Sequence, residues 1–387
     1  MSIYRFWVLF VPLLFASTLS SCKDDLSKTP PDITDKGHFD GPYILYRDKM
    51  VDIVSVVKSS DGSKVNIESY ENSKINDMEF TVTPNNGLKT FNFKLFDYAN
   101  EPCVFTEPGK TLVVSDFEGN FKDFASILMT AGVINADYQW IFANNYLVVN
   151  GDFFDRGTDV LPVLWLSYKL DSEARRSGGY VHIILGNHDE MNLRGNVKYV
   201  DNRYIDLSQR LGIEYKKLFD ENTELGQWLR TKNAMITIGK SLFVHGGISA
   251  ELIAEGVDIQ LINSVVRENL GRNKTTLEGL PKLLWSDFGP FWYRGLVESE
   301  EKYNPIQANE LDEILNYFTA ERIIVGHTVV PEVIGLHGGK VIVVDVDHPE
   351  NVMNNSSRAL LITKNGLKTI NDKGEIKPLR LVSSFIE

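Results

Sequence analysis

Two carboxylates three residues apart, with an arginine directly after the second, occur in Gly151-Asp152-Phe153-Phe154-Asp155-Arg156-Gly157. Such groups are costly to crowd together unless a cation offsets their charge. They follow an apolar run, Tyr146-Leu147-Val148-Val149, that reads as a buried strand. The flanking glycines mark a turn at which backbone must come close to another group. Taken alone, this stretch is a solvated turn carrying a surface ion pair. Four more stretches change that reading: Asp116-Phe117-Glu118-Gly119-Asn120, Gly186-Asn187-His188-Asp189, His245-Gly246-Gly247 and Gly326-His327-Thr328. Each follows its own apolar, strand-like run. Five stretches rich in oxygen and nitrogen donors, each at a strand end, point to a site for two metal ions.

The elements that position them alternate. Thr111 to Ser115 reads as a strand, and Asn120 to Ala131 has helical spacing through Phe121, Phe124, Ala125 and Leu128. The strand before Gly151, a helix from Leu161 to Leu170 and a strand from Val181 to Leu185 follow. This is a βαβ pattern with polar residues at the strand C-terminal ends, where open α/β sheets place their sites. Asn192 to Thr231 reads as mostly helical, an insertion within 190–233. Strands resume at Met235–Ile238, Leu242–Val244, Ile323–Val325 and Val341–Val346, and the chain ends in hairpins turning at Asn365-Gly366 and Lys373-Gly374. Ahead of all this, residues 41–105 read as a small all-β module of about five strands, from Tyr43–Tyr46 to Phe91–Leu95. The catalytic stretch is expected over 106–387.

With those motifs in place, the sequence resembles the calcineurin-like metallophosphoesterase superfamily, whose signature runs D-x-H, G-D-x-x-D-R-G, G-N-H-[DE] and two later His motifs. The match spans roughly Thr111 to Val346. Val244-His245-Gly246-Gly247-Ile248 and Leu284-Trp285-Ser286-Asp287 resemble the phosphoprotein-phosphatase branch. Gly326-His327-Thr328, Met191-Asn192-Leu193-Arg194-Gly195 and Phe291-Trp292-Tyr293-Arg294-Gly295 resemble its bacterial-type members, the Shewanella-like phosphatases. The fold implied is a four-layer α/β/β/α sandwich behind the β module.

The resemblance also implies roles. Asp152 bridges both metals, Asp116 and the residue two after it complete the first site, and Asn187, His245 and His327 complete the second. His188, oriented by Asp155, is the general acid for the leaving oxygen, and Arg156 and Arg294 grip the phosphate through planar donor forks. A metal-bridging hydroxide is the implied nucleophile. One departure stands out: the family's histidine two residues after the first aspartate is Glu118 here. As a hard oxygen donor, Glu118 would favour Mn²⁺, Mg²⁺ or Fe over Zn²⁺ in a divalent or mixed-valence pair. No other cofactor is expected.

The activity expected is therefore a metal-dependent phosphomonoesterase of the serine/threonine or tyrosine phosphatase type. A nucleotide or dinucleotide-polyphosphate hydrolase on the same core is the alternative among enzymes. From another class, the chain would be an inactive surface-binding lipoprotein, which Glu118 alone favours. Retention of both metal ligands and phosphate clamps opposes that reading.

Composition narrows the setting. The 387 residues carry a net charge of −12 without a basic stripe, which argues against nucleic acid as a partner. Residues 1–22 read as an export signal: Arg5, an apolar stretch from Phe6 to Phe15, then Leu19-Ser20-Ser21-Cys22. That ending resembles a bacterial lipobox, in which Cys22 takes the lipid. Residues 23–40 are then a tether, and the expected location is the cell envelope, lipid-anchored at the outer membrane, periplasmic or surface-exposed. Cys103 is the remaining thiol and reads as a small buried hydrophobe. His182, within an apolar strand, reads as a hydrogen-bonded core histidine. His337, Asp347 and His348 read as surface polar groups, and Phe288 to Tyr293 as a packed loop holding Arg294.

Overall fold

The computed structural model describes residues 37–85 and 87–382. The expected lipobox with Cys22, and nearly all of the tether, lie outside the described residues. No described helix is long and apolar enough to cross a membrane.

Two sheets face each other as the inner layers of an α/β/β/α sandwich. One has six strands in the order Ile376–Pro378, Gly366–Ile370, Ala359–Thr363, Lys110–Val114, Tyr146–Val149 and Tyr180–Ile183. Its last three strands run parallel. Their Val- and Leu-rich centres are buried, as expected of strands covered on both faces. The other sheet has seven strands in the order Arg380–Leu381, Ile334–Leu336, Val341–Val343, Arg322–Val325, Ser241–Val244, Met235–Ile238 and Val104–Phe105. The sheets meet at the site end, where Asn150 Nδ2 donates to the Val244 carbonyl at 3.0 Å.

Two helices follow strands of the six-stranded sheet. Phe121–Thr130 starts at Asn120, whose side chain accepts from the Asp123 amide, and buries Phe121, Phe124, Ile127 and Leu128. Val160–Arg176 is longer than its sequence spacing predicts, since its polar C-terminal turns continue past Leu170.

The five expected strands of the N-terminal module are present, in two separate sheets. Asp40–Arg47, Met50–Ser59 and Gly62–Glu71 form a meander, and Glu79–Val82 pairs with Phe91–Lys94. Both rest on helix Val160–Arg176: Trp165 donates to the Pro42 carbonyl at 2.9 Å and stacks on Phe93 at 4.2 Å. The end of the expected module differs, because Val104–Phe105 pairs in parallel with Thr237 and Ile238 of the seven-stranded sheet.

Candidate active site

Strand ends from both sheets converge on one cleft of about 850 Å³, lined among others by Asp116, Glu118, Asp152, Arg156, His188, Arg294, His327 and Asp345. The turns that deliver these side chains are tight. Asp116, Glu118, Asp152, Asp155, Arg156 and His327 all have φ between +44° and +76°, a region non-glycine residues rarely adopt and that clusters at functional sites. The two glycines bracketing the opening stretch show why they are glycines. A Cβ on Gly151 would sit 2.3 Å from His245 Nδ1, and one on Gly157 would sit 2.3 Å from the Glu118 carbonyl.

Asp152 is at the centre. Its Oδ1 accepts from the His188 amide at 2.9 Å, and its Oδ2 lies 3.2 Å from His245 Nε2. His245 is fully buried and held from behind, its Nδ1–H donating to the Asn150 carbonyl at 2.8 Å. That bond leaves Nε2 to face Asp152 and Asn187 Oδ1, the latter at 2.9 Å, so an oriented imidazole presents its second nitrogen to the site. His327 Nε2 is buried and has no hydrogen-bond partner among the described residues. Donor atoms of Asp152, His245 and His327 lie within 4.8 Å of one another, as do those of Glu118, Asp152 and His188. Asp116 belongs to neither triplet. It lines the same cleft, with Oδ2 accepting from the Ser115 hydroxyl and, at 3.4 Å, from the His327 amide.

The carboxyls split in direction: burial opposes ionisation of Asp152, but His245 outweighs it and holds that carboxyl below the usual carboxylate range, whereas Asp116 and Asp345 are pushed up. Burial pushes the Asp116 carboxyl up to about 6, with His245 opposing the rise and Asp152 adding to it. Asp345 is pushed well above the usual carboxylate range by burial and then by Asp116. With the orphaned His327 nitrogen and a donor set of carboxylates, imidazoles and an amide, these observations fit divalent cations.

The other functional groups sit around this centre. His188 Nδ1–H donates to Asp155 Oδ2 at 2.6 Å, leaving Nε2 toward the cleft, 3.6 Å from Glu118 Oε1. Burial alone would lower the His188 pKa, but the Asp155 hydrogen bond and the Asp152 charge win and raise it. Asp155 is braced in turn by Asn192 Nδ2 at 2.8 Å, and Asn192 Oδ1 accepts from the Tyr215 hydroxyl at 2.9 Å. Arg294 donates to the His327 carbonyl at 2.7 Å and to Thr328 Oγ1 at 2.9 Å. Arg156, more than half exposed, pairs with Glu118. All ten residues singled out as ligands or catalytic groups thus lie in or directly against this cleft.

The sequence reading missed several supports. Asp345 follows the apolar run from Val341, so the rule that polar residues at strand ends mark the site would have found it. Asp189 accepts from the amides of Asp152, Phe153 and Gly186 at 3.1, 2.8 and 2.7 Å and ties two of the turns together. His348 corrects an expectation. It is buried, stacked on Phe117 at 4.0 Å, and its Nε2–H donates to the Ser115 carbonyl at 2.9 Å. Asp347 is exposed as expected and caps the helix His348–Asn354, while His337 is half-buried against the Leu296 carbonyl. His182 is also corrected: it is buried among Phe105, Tyr146 and Tyr180, and its ring nitrogens have no hydrogen-bond partner among the described residues. Cys103 is buried and free. The aromatic loop packs in part as read: Gly246 donates to the Pro290 carbonyl and Phe291 and Tyr293 are buried, while Phe288 stays exposed.

Residues 109–331 match the calcineurin-like phosphoesterase family. The chain belongs to that family. It is 28% identical over 224 residues to Shewanella-like protein phosphatase 1 of Plasmodium berghei, covering 57% of this chain and 61% of that one. It therefore spans about three fifths of that relative's length. Shewanella-like protein phosphatase 2 of Arabidopsis thaliana is 26% identical over 268 residues, 58% of this chain and 67% of that one. Among solved structures, a cold-active protein-tyrosine phosphatase of a psychrophilic Shewanella species superposes with a TM-score of 0.78 at 32% identity. It covers 89% of this chain and 100% of its own. That share is more than the catalytic stretch alone can supply, so the architecture in common includes much of the N-terminal module.

Proposed function

We propose that this metallophosphoesterase hydrolyses phosphate monoesters on proteins. The observation that carries the reading is the convergence, around Asp152, of an oriented proton donor (His188 on Asp155) and two guanidinium groups, Arg156 and Arg294. Asp116, Glu118, Asp152, Asn187, His245 and His327 would hold a pair of divalent cations, with Glu118 favouring Mn²⁺, Mg²⁺ or Fe over Zn²⁺. When bound, such a pair supplies Lewis acidity and an acidified water as nucleophile.

The chain's own residues do the rest. Arg156 and Arg294 orient the phosphate oxygens for in-line attack and offset their charge. As water oxygen bonds to phosphorus and the ester P–O bond breaks, His188 Nε2 delivers its proton to the leaving oxygen. Asp155 keeps the ring in register and stabilises its charged form. A nucleotide base is held best between two aromatic faces, and the cleft-lining Phe117 and Phe121 are buried in the core and supply neither.

Phosphate release from matched phosphotyrosine and phosphoserine peptides, with a dinucleotide polyphosphate as comparison and Mn²⁺ or Zn²⁺ supplied in turn, tests this. Peptide turnover exceeding dinucleotide turnover, and Mn²⁺ exceeding Zn²⁺, is expected. Faster dinucleotide cleavage would transfer the enzyme to the nucleotide class, and better support by Zn²⁺ would remove the metal preference assigned to Glu118. The Leu19-Ser20-Ser21-Cys22 ending further supports lipid anchoring in the bacterial envelope. Cys22→Ala should then move the protein from the membrane fraction to the soluble one, and unchanged membrane recovery would exclude that anchor.

A further inference from the structure

We propose that Tyr199 is the wall against which the substrate's leaving group packs, and that it selects aryl over alkyl phosphate esters. The inference rests on the phosphomonoesterase reading above. Tyr199 lies between helices Asn187–Leu193 and Asn202–Leu211 of the insertion, and its carbonyl accepts from the Arg156 amide at 2.9 Å. This bond clips the segment to the turn that carries the phosphate clamp. Its ring lies 5.3 Å from the His188 ring at an interplanar angle of 48°. The Arg156 guanidinium sits 5.5 Å from the ring centroid and Lys198 Nζ 4.7 Å from it. Yet 38% of this large aromatic residue stays exposed, and the mechanism above gives it no task.

The direction of the chemistry supplies one. In an in-line displacement the proton donor stands on the side from which the ester oxygen departs. That side is marked here by His188 Nε2, because Nδ1 is committed to Asp155. The organic group that the departing oxygen carries then lies next to the His188 ring, whose aromatic neighbour is Tyr199. A phosphotyrosine ring could stack offset or edge-on against Tyr199, whereas the single methylene of phosphoserine reaches no comparable surface. Arg156, shared between the phosphate and the Tyr199 ring, links clamp and wall.

The test compares kcat and KM of wild type, Tyr199→Ala and Tyr199→Phe on phosphotyrosine and phosphoserine peptides of identical flanking sequence, with saturating Mn²⁺. Tyr199→Ala should lose about tenfold in kcat/KM on the phosphotyrosine peptide, mostly through KM, and less than about twofold on phosphoserine. Tyr199→Phe should keep the wild-type ratio, because the ring and not the hydroxyl does the selecting. Equal losses on both peptides in Tyr199→Ala, with active wild type, would overturn the inference alone. Wild type inactive on both peptides would overturn the phosphatase reading and the inference together.

Discussion

The family resemblance assigns Asn187, His245 and His327 to one metal and Asp116 and Glu118 to the other, with Asp152 shared between them. The first three are all buried, and His245 is locked by the Asn150 carbonyl into the tautomer that presents Nε2. The Glu118 side chain keeps 15% of its surface exposed and pairs with Arg156, whose side chain is 56% exposed. One half of the site is thus buried and preset, while the other offers a carboxylate for which a cation and a guanidinium would compete. The same competition would couple the two ligands: phosphate that draws Arg156 away would leave Glu118 to the metal. A preset half would tolerate no loss of a donor, whereas an exchangeable half would tolerate loss at a higher metal concentration.

Asp152 serves both halves, so its loss should have the largest effect. Asp152→Asn should lower turnover of an aryl phosphate by about a thousandfold, with no recovery in excess Mn²⁺. Next comes the proton donor. His188→Ala should cost about a hundredfold or more in kcat on phosphoserine peptide, and much less on para-nitrophenyl phosphate, whose leaving group hardly needs a proton. Steady-state rates on the two esters read this difference directly, and equal losses would deny His188 its role as acid. The comparison of halves is then tested by His245→Ala beside Glu118→Ala. Glu118→Ala should weaken Mn²⁺ activation about ten- to a hundredfold and regain most activity at saturating metal, while His245→Ala should not. Equal rescue of both would erase the distinction drawn here.

How much of this was legible in the sequence differs by kind of residue. The five donor stretches could be read because each is local: apolar strand, tight turn, ligand. The small glycines and the order of the motifs carry that information without tertiary structure. His348 could not be read so, since its partner, the Ser115 carbonyl, lies 233 residues earlier in the chain and its own neighbours Asp347, Pro349 and Glu350 look like surface. Tyr199 was hidden for the same reason: its place is fixed by a backbone bond to Arg156 and by ring contacts, none of which a motif encodes. The insertion was legible as helical but not as the brace that reaches Asp155 through Tyr215 and Asn192.

The last effect concerns stability rather than turnover and comes from two buried histidines, His348 against the Ser115 carbonyl and His182 in the strand Tyr180–Ile183. Burial first, and then Arg358, lowers the His348 pKa to about 3, and burial lowers that of His182 to about 3. Both are neutral in the folded state and would take up a proton on unfolding below their ordinary value of 6.5. Their contribution is therefore complete above about pH 6.5 and is lost as pH falls toward 3. Denaturant midpoints across that window should shift accordingly, and His182→Phe should flatten the slope by one histidine's share. An unchanged slope would mean that His182 is already protonated in the native core.

A two-metal centre at Asp152 is tested most directly by titrating Mn²⁺ into chelator-treated protein while following aryl phosphate turnover. The expected record is no turnover before addition and a rise that saturates at two equivalents per chain. Turnover that survives chelation, or that saturates at one equivalent, would contradict it.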